Sequence, residues 1–144
     1  NRKQKIFNLA KAEERRVAGE MGRVQRSLNA EISRLQELES YRQNYTEQFN
    51  SGGTISASRW QDYQNFLERI DKAVDGQKKQ IMNGRETRDV HRRRWMLEKQ
   101  KLDSLERVVD RFRRAEAQET DRQSQKDIDE LSTTKRLTRL RSLD

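Results

Sequence analysis

The side chains best suited to chemistry in this sequence are few and scattered. His91 is the only histidine, and no cysteine is present. A metal site or a general acid–base pair needs several convergent ligands or partners, which one histidine on a rod cannot gather. It reads as a seam residue. Gly52 and Gly53 are followed by Thr54 with no lysine close behind, so no phosphate-cradling loop forms there. The sequence therefore predicts no catalytic residue, no metal ligand and no cofactor.

Charge is the other candidate for chemistry. The formal net charge is +8, a value that invites a nucleic-acid backbone as partner. The excess is diffuse along the chain. Only Arg92, Arg93 and Arg94 cluster tightly, and Arg85 and Arg88 before them are interleaved with Glu86 and Asp89. Such a mixture reads mainly as a solvated helical face, with an acidic protein as a better partner than RNA or DNA.

The elements that carry these residues are set by composition and period. Hydrophobic residues make up 31% and charged residues 39%, too lean for a sizeable globular core. There is no proline, and the abundant Leu, Gln, Glu, Arg and Lys lose little freedom in a helix. From Val17 the apolar positions step by three or four through Met21, Val24, Leu28, Ile32, Leu35, Leu38, Tyr41 and Tyr45 to Phe49. That is helical spacing. Gly52 and Gly53 then supply the backbone freedom of a reversal. Ser58 with Gln61 three residues later reads as a capping box.

Beyond the reversal one heptad phase holds without a slip. Its first inward set is Trp60, Leu67, Val74, Ile81, Arg88, Trp95, Leu102 and Val109. The second set is Tyr63, Ile70, Gln77, Gly84, His91, Glu98, Leu105 and Phe112. Sustained spacing of this kind specifies a coiled coil. The fold expected is all-α, a two-helix antiparallel coiled-coil hairpin with the second helix overhanging the first. The helices are expected at about 1–50 and 58–131, with the turn at 51–57, as one hairpin over 1–131. Residues 132–144 are expected to be a flexible basic tail. The polar middle of the seam should be its loosest part. At about 1.5 Å per residue the second helix outruns the first, so Val109, Phe112 and the residues after them should lack an internal partner and await an external one.

Six aromatics, Tyr41, Tyr45, Phe49, Trp60, Tyr63 and Phe66, gather near the bend. Two roles fit them, welding the hairpin tip or offering a protein-docking surface. Absence of cysteine suits a reducing compartment, and no apolar run approaches the roughly 20 residues that span a bilayer. A cytoplasmic protein is expected. Because the first residue is Asn1 rather than Met, the true start is expected upstream.

The stretch Ile55, Ser56, Ala57, Ser58, Arg59, Trp60, Gln61, Asp62, Tyr63, Gln64, Asn65, Phe66, with Tyr41 and Tyr45 before it, resembles the flagellar type III export family FliJ. The likeness continues at Arg122, Gln125, Lys126, Asp129 and Glu130, similar to that family's late acidic–basic signature. Gln77 stands where the family often has His, and Ser124 where an acidic residue is common. The resemblance implies a non-catalytic stalk that inserts into the hexameric flagellar export ATPase and faces the membrane export gate with its tip. Implied partners are that ATPase, the export gate protein and export chaperones, with no nucleic acid. The membrane is met only peripherally, at the cytoplasmic side of the inner membrane, through the gate. Positions matching Leu38, Tyr41, Tyr45, Phe66, Ile70, Ala73 and Gln77 are implied to meet the gate. Val109 and Phe112 on the overhang, with the late signature residues, are the expected ring contacts. A stalk of a type III injectisome and an RNA-binding coiled-coil arm are the alternatives.

Overall fold

The structure, a computed structural model, describes residues 2–143. It holds two helices, α1 at Arg2–Asn50 (49 residues) and α2 at Ala57–Leu143 (87 residues). The fold is the all-α, antiparallel coiled-coil hairpin with a longer second helix that the heptads specify. No strand occurs among the described residues. Surface pairs spaced four apart support both helices, such as Gln25 to Asn29 and Gln61 to Asn65. Arg16 is clasped between Glu13 and Glu20, and its hydrogen bond to Glu13 raises its proton affinity further.

The reversal is built as the glycine pair requires. Gly53 has φ of 73°, a conformation that costs a residue without a β-carbon little. Ser51 and Gly52 close α1 by donating from their backbone N–H groups to the carbonyls of Glu47 and Phe49. The cap of α2 falls two residues earlier than the capping-box spacing suggests. Ser56, not Ser58, accepts the Arg59 backbone N–H on its Oγ at 3.1 Å, and its carbonyl takes the first helical bond, from Trp60. Gln61 donates to Asn65 instead of reaching back. The helix thus begins at Ala57.

Two compact units make up the chain, one Ala12–Lys99 and the other Asn1–Lys11 together with Gln100–Asp144. In the first, the inward heptad positions from Tyr63 to Glu98 are all buried or half-buried. The polar middle of the seam, expected to be its loosest part, keeps every inward position buried or half-buried. Val17 and Leu28, the most completely buried side chains, lie on α1 in this stretch. Leu28 enters the space left by Gly84, where an added β-carbon would stand 3.1 Å from Leu28 Cδ1. Gln77, 7% exposed, donates its Nε2 to the Glu31 carbonyl at 2.8 Å and also to the Glu31 carboxylate. Trp95 Nε1 donates to Glu14 at 2.9 Å. Burial on α1 and a hydrogen bond for nearly every inward polar group replace the missing apolar knobs. His91 Nδ1 is the exception among the described residues, buried with no partner.

In the second unit the α1 stripe starts earlier than Val17, with Gln4, Phe7 and Ala10 half-buried. Val109 is consequently only 9% exposed. The expectation that it lacks an internal partner is corrected: the first turns of α1 cover it. From Arg111 through Ser142 every described residue of α2 is exposed. The helix runs through residues 132–143, where Thr133, Thr134 and Thr138 each donate to the carbonyl four residues back. Asn1 and Asp144, the ends of the expected first helix and tail, lie outside the described residues.

Candidate functional site

Aromatic residues near the bend form a ladder across the two helices. Phe49 stacks on Tyr63 with centroids 3.9 Å apart and planes 3° from parallel. Tyr45 stacks on Phe66, also at 3.9 Å, and Tyr41 meets Phe66 edge-on at 5.3 Å. Tyr63 donates its hydroxyl to Thr46 at 3.2 Å. The ladder is buried inside and open at its ends. Phe49 and Tyr63 are buried, while Trp60 is 50% and Tyr41 56% exposed. The heptad phase points Trp60 into the seam, but its position in the structure leaves it half outside. It sits in the first turn of α2, where the Phe49 and Tyr63 rings meet it. The inner rings weld the tip, and the outer rings are exposed.

The residues expected at a docking face divide accordingly. Tyr41, Phe66, Ile70 and Ala73 line one shallow depression of about 320 Å³, with Arg69 at its edge. Tyr45 supports it from behind through Phe66. Leu38 is half-buried in the seam. Gln77 is engaged inward by Glu31. Arg69 escaped sequence reasoning, since a single exposed arginine on a charged helix carries no pattern. Beside this region Arg42 bridges the helices to Asp71 at 2.8 Å, and that hydrogen bond raises its proton affinity.

At the other set of expected contacts, Lys3 Nζ lies 2.8 Å from the centroid of the Phe112 ring, a cation–π contact. Phe112 is nonetheless 45% exposed, and Arg113 donates to Gln4 at 3.0 Å beside it. Val109 packs beneath. The late signature is brought together only along one helix: Gln125 donates to Asp129, Arg122 pairs with Glu119, and Lys126 and Glu130 stand exposed beside them. No group of three or more potential metal ligands occurs among the described residues. No helix there is long and apolar enough to cross a membrane.

Two long helices zipped by one heptad seam, with exposed apolar and aromatic side chains set on their flanks, define an α-helical coiled-coil hairpin protein. Comparison with known proteins narrows this further. The model of the flagellar FliJ protein family matches residues 2–141, and the chain belongs to that family. It is 27% identical over 129 residues to the flagellar FliJ protein of Salmonella typhi, and 26% identical over 129 residues to that of Escherichia coli strain K12. Each alignment covers 88% of this chain and 88% of the relative. No solved structure gives a significant match. Membership makes the chain a component of flagellar protein export.

Proposed function

We propose that this chain is a non-catalytic stalk of the flagellar export apparatus, working on the cytoplasmic side of the inner membrane. Its tip docks on the export gate protein, its opposite end enters the ring of the hexameric export ATPase, and export chaperones bind along it. The depression lined by Tyr41, Phe66, Ile70 and Ala73 carries this reading. It joins residues of both helices into one apolar surface with an aromatic anchor more than half exposed, the kind of group that dominates protein interfaces. On the ring side, Phe112, Arg122, Gln125, Lys126, Asp129 and Glu130 are the proposed contacts. Val109 contributes by holding this part of α2 against α1.

Binding of the purified chain to the cytoplasmic part of the gate protein tests the reading. Tyr41→Ala should weaken it about tenfold or more, as loss of an interface anchor does, while helicity and ATPase stimulation stay unchanged. Tyr41 is the cleaner probe than Phe66, whose ring also stacks on Tyr45. Unchanged gate binding by Tyr41→Ala and Phe66→Ala alike would remove the tip from the proposal.

A further inference from the structure

The unit Ala12–Lys99 has a second groove, on the other edge of its seam. In the heptad phase Phe66 and Ala73 flank the inward Ile70 on one side, whereas Lys78 and Arg85 flank the inward Ile81 on the other. On this second edge Ile32 and Leu35 of α1 and Ile81 and Met82 of α2 wall an open, mainly apolar groove of about 420 Å³. Met82 is 56% exposed although it belongs to no inward set. Lys78, Lys79 and Arg85 stand on the rim.

These three cations form no ion pair among the described residues. Some neighbouring ones do: Lys72 pairs with Glu68, Arg88 with Asp89 and Arg94 with Glu20. An apolar floor between two helices, edged by unpaired positive charge, is complementary to one kind of occupant. We infer that this groove binds an amphipathic helix of a partner protein, with apolar residues at i, i+3, i+4 and i+7 on its inner face and Asp or Glu beside them. A third helix lying along two others fills such a groove in the manner of helix-in-groove recognition. Met82 suits the contact because its unbranched thioether adapts to a partner's surface. An anionic bilayer fits less well. Ile32 and Leu35 are recessed between the helices, where a planar surface does not reach, and Glu86 and Asp89 interrupt the positive charge one turn further on.

The site is independent of the tip reading. The test uses the whole chain and a fluorescein-labelled synthetic helix of about 18 residues, long enough to span the groove, with Leu at the i, i+3, i+4, i+7 spacing and Glu at the flanking positions. Binding is read by anisotropy. The acidic peptide should bind, and more weakly as salt rises. Its counterpart with Lys in place of Glu should not. Met82→Glu should weaken binding about tenfold or more, as should Lys79→Glu, a fully surface change that keeps the test alive if Met82→Glu loses helicity. Tyr41→Ala should leave this binding unchanged, which separates failure here from failure at the tip. The inference is overturned if the acidic peptide does not bind, if the Lys peptide binds equally, or if Lys79→Glu has no effect. It is equally overturned if phosphatidylcholine–phosphatidylserine vesicles bind through Met82 and the peptide does not.

Discussion

At the level of single residues, the pairing of Leu28 with Gly84 governs the middle of the seam. Leu28 is 2% exposed and leans into the space where Gly84 has no side chain. Leu28→Ala should cost about 3 kcal/mol by removing a buried knob and leaving a void. Gly84→Ala gains about 1 kcal/mol in helix propensity but forces Leu28 to give way at 3.1 Å. The two effects nearly cancel, so the single variant should melt close to the parent in urea. With Leu28→Ala already present the obstruction is gone, and Gly84→Ala should then stabilise the chain by about 1 kcal/mol. Strict additivity of the two changes would show that the residues do not interlock. Gln77 belongs to the same stretch, and its inward bonds to Glu31 make it structural. Gln77→Ala should lower stability by about 1–2 kcal/mol, the cost of losing a buried side chain's hydrogen bonds to Glu31, and leave gate binding per folded molecule unaltered.

Helices and their ends show what a sequence pattern can and cannot carry. The seam of α2 was legible because fourteen heptad positions from Tyr63 through Val109 repeat a single phase, and each is buried or half-buried. It failed at the outermost position, Trp60, which is 50% exposed, since a period states which way a side chain points and not whether a partner helix covers it. The start of the α1 stripe was hidden by polar Gln4 and Glu14, which interrupt the apolar steps through Phe7 and Ala10. Met82 and its groove had no signal at all, because an apolar residue off the inward stripe has no period. The cap was misplaced by two residues for a chemical reason. Ser58 has the Gln three positions on that the capping pattern demands, whereas Ser56 has Arg59 there, whose side chain turns instead to the Gly52 carbonyl at 3.1 Å. Ser56→Ala should therefore cost about 1 kcal/mol in thermal unfolding, and Ser58→Ala almost nothing. The reverse order would return the helix start to Ser58.

For the molecule as a whole, the decisive contrast is between residues held by the seam and the exposed remainder of α2. Every described residue from Arg111 to Ser142 is exposed, and large apolar side chains are spent there on solvent: Ile128, Leu131, Leu137 and Leu140 are each at least 55% exposed. In proteins most helical stability comes from packing an apolar face against a partner, which this segment lacks. Local pairs such as Gln125 to Asp129 each add a few tenths of a kcal/mol. In the free chain the amides beyond about residue 117 should therefore exchange with solvent within seconds, whereas those of the seam around Val17, Leu28 and Ile81 should be protected to near the global unfolding limit. Removal of residues 117–144 should leave the unfolding midpoint within about 2 °C of the parent, since every described side chain there is exposed. The same truncation should abolish stimulation of the export ATPase, and the ATPase should slow exchange in that segment of the intact chain. A large drop in midpoint would mean that the segment supports the fold. Full stimulation by the truncated chain would move the ring contact back to Phe112 and the first turns of α1, which the truncation leaves in place.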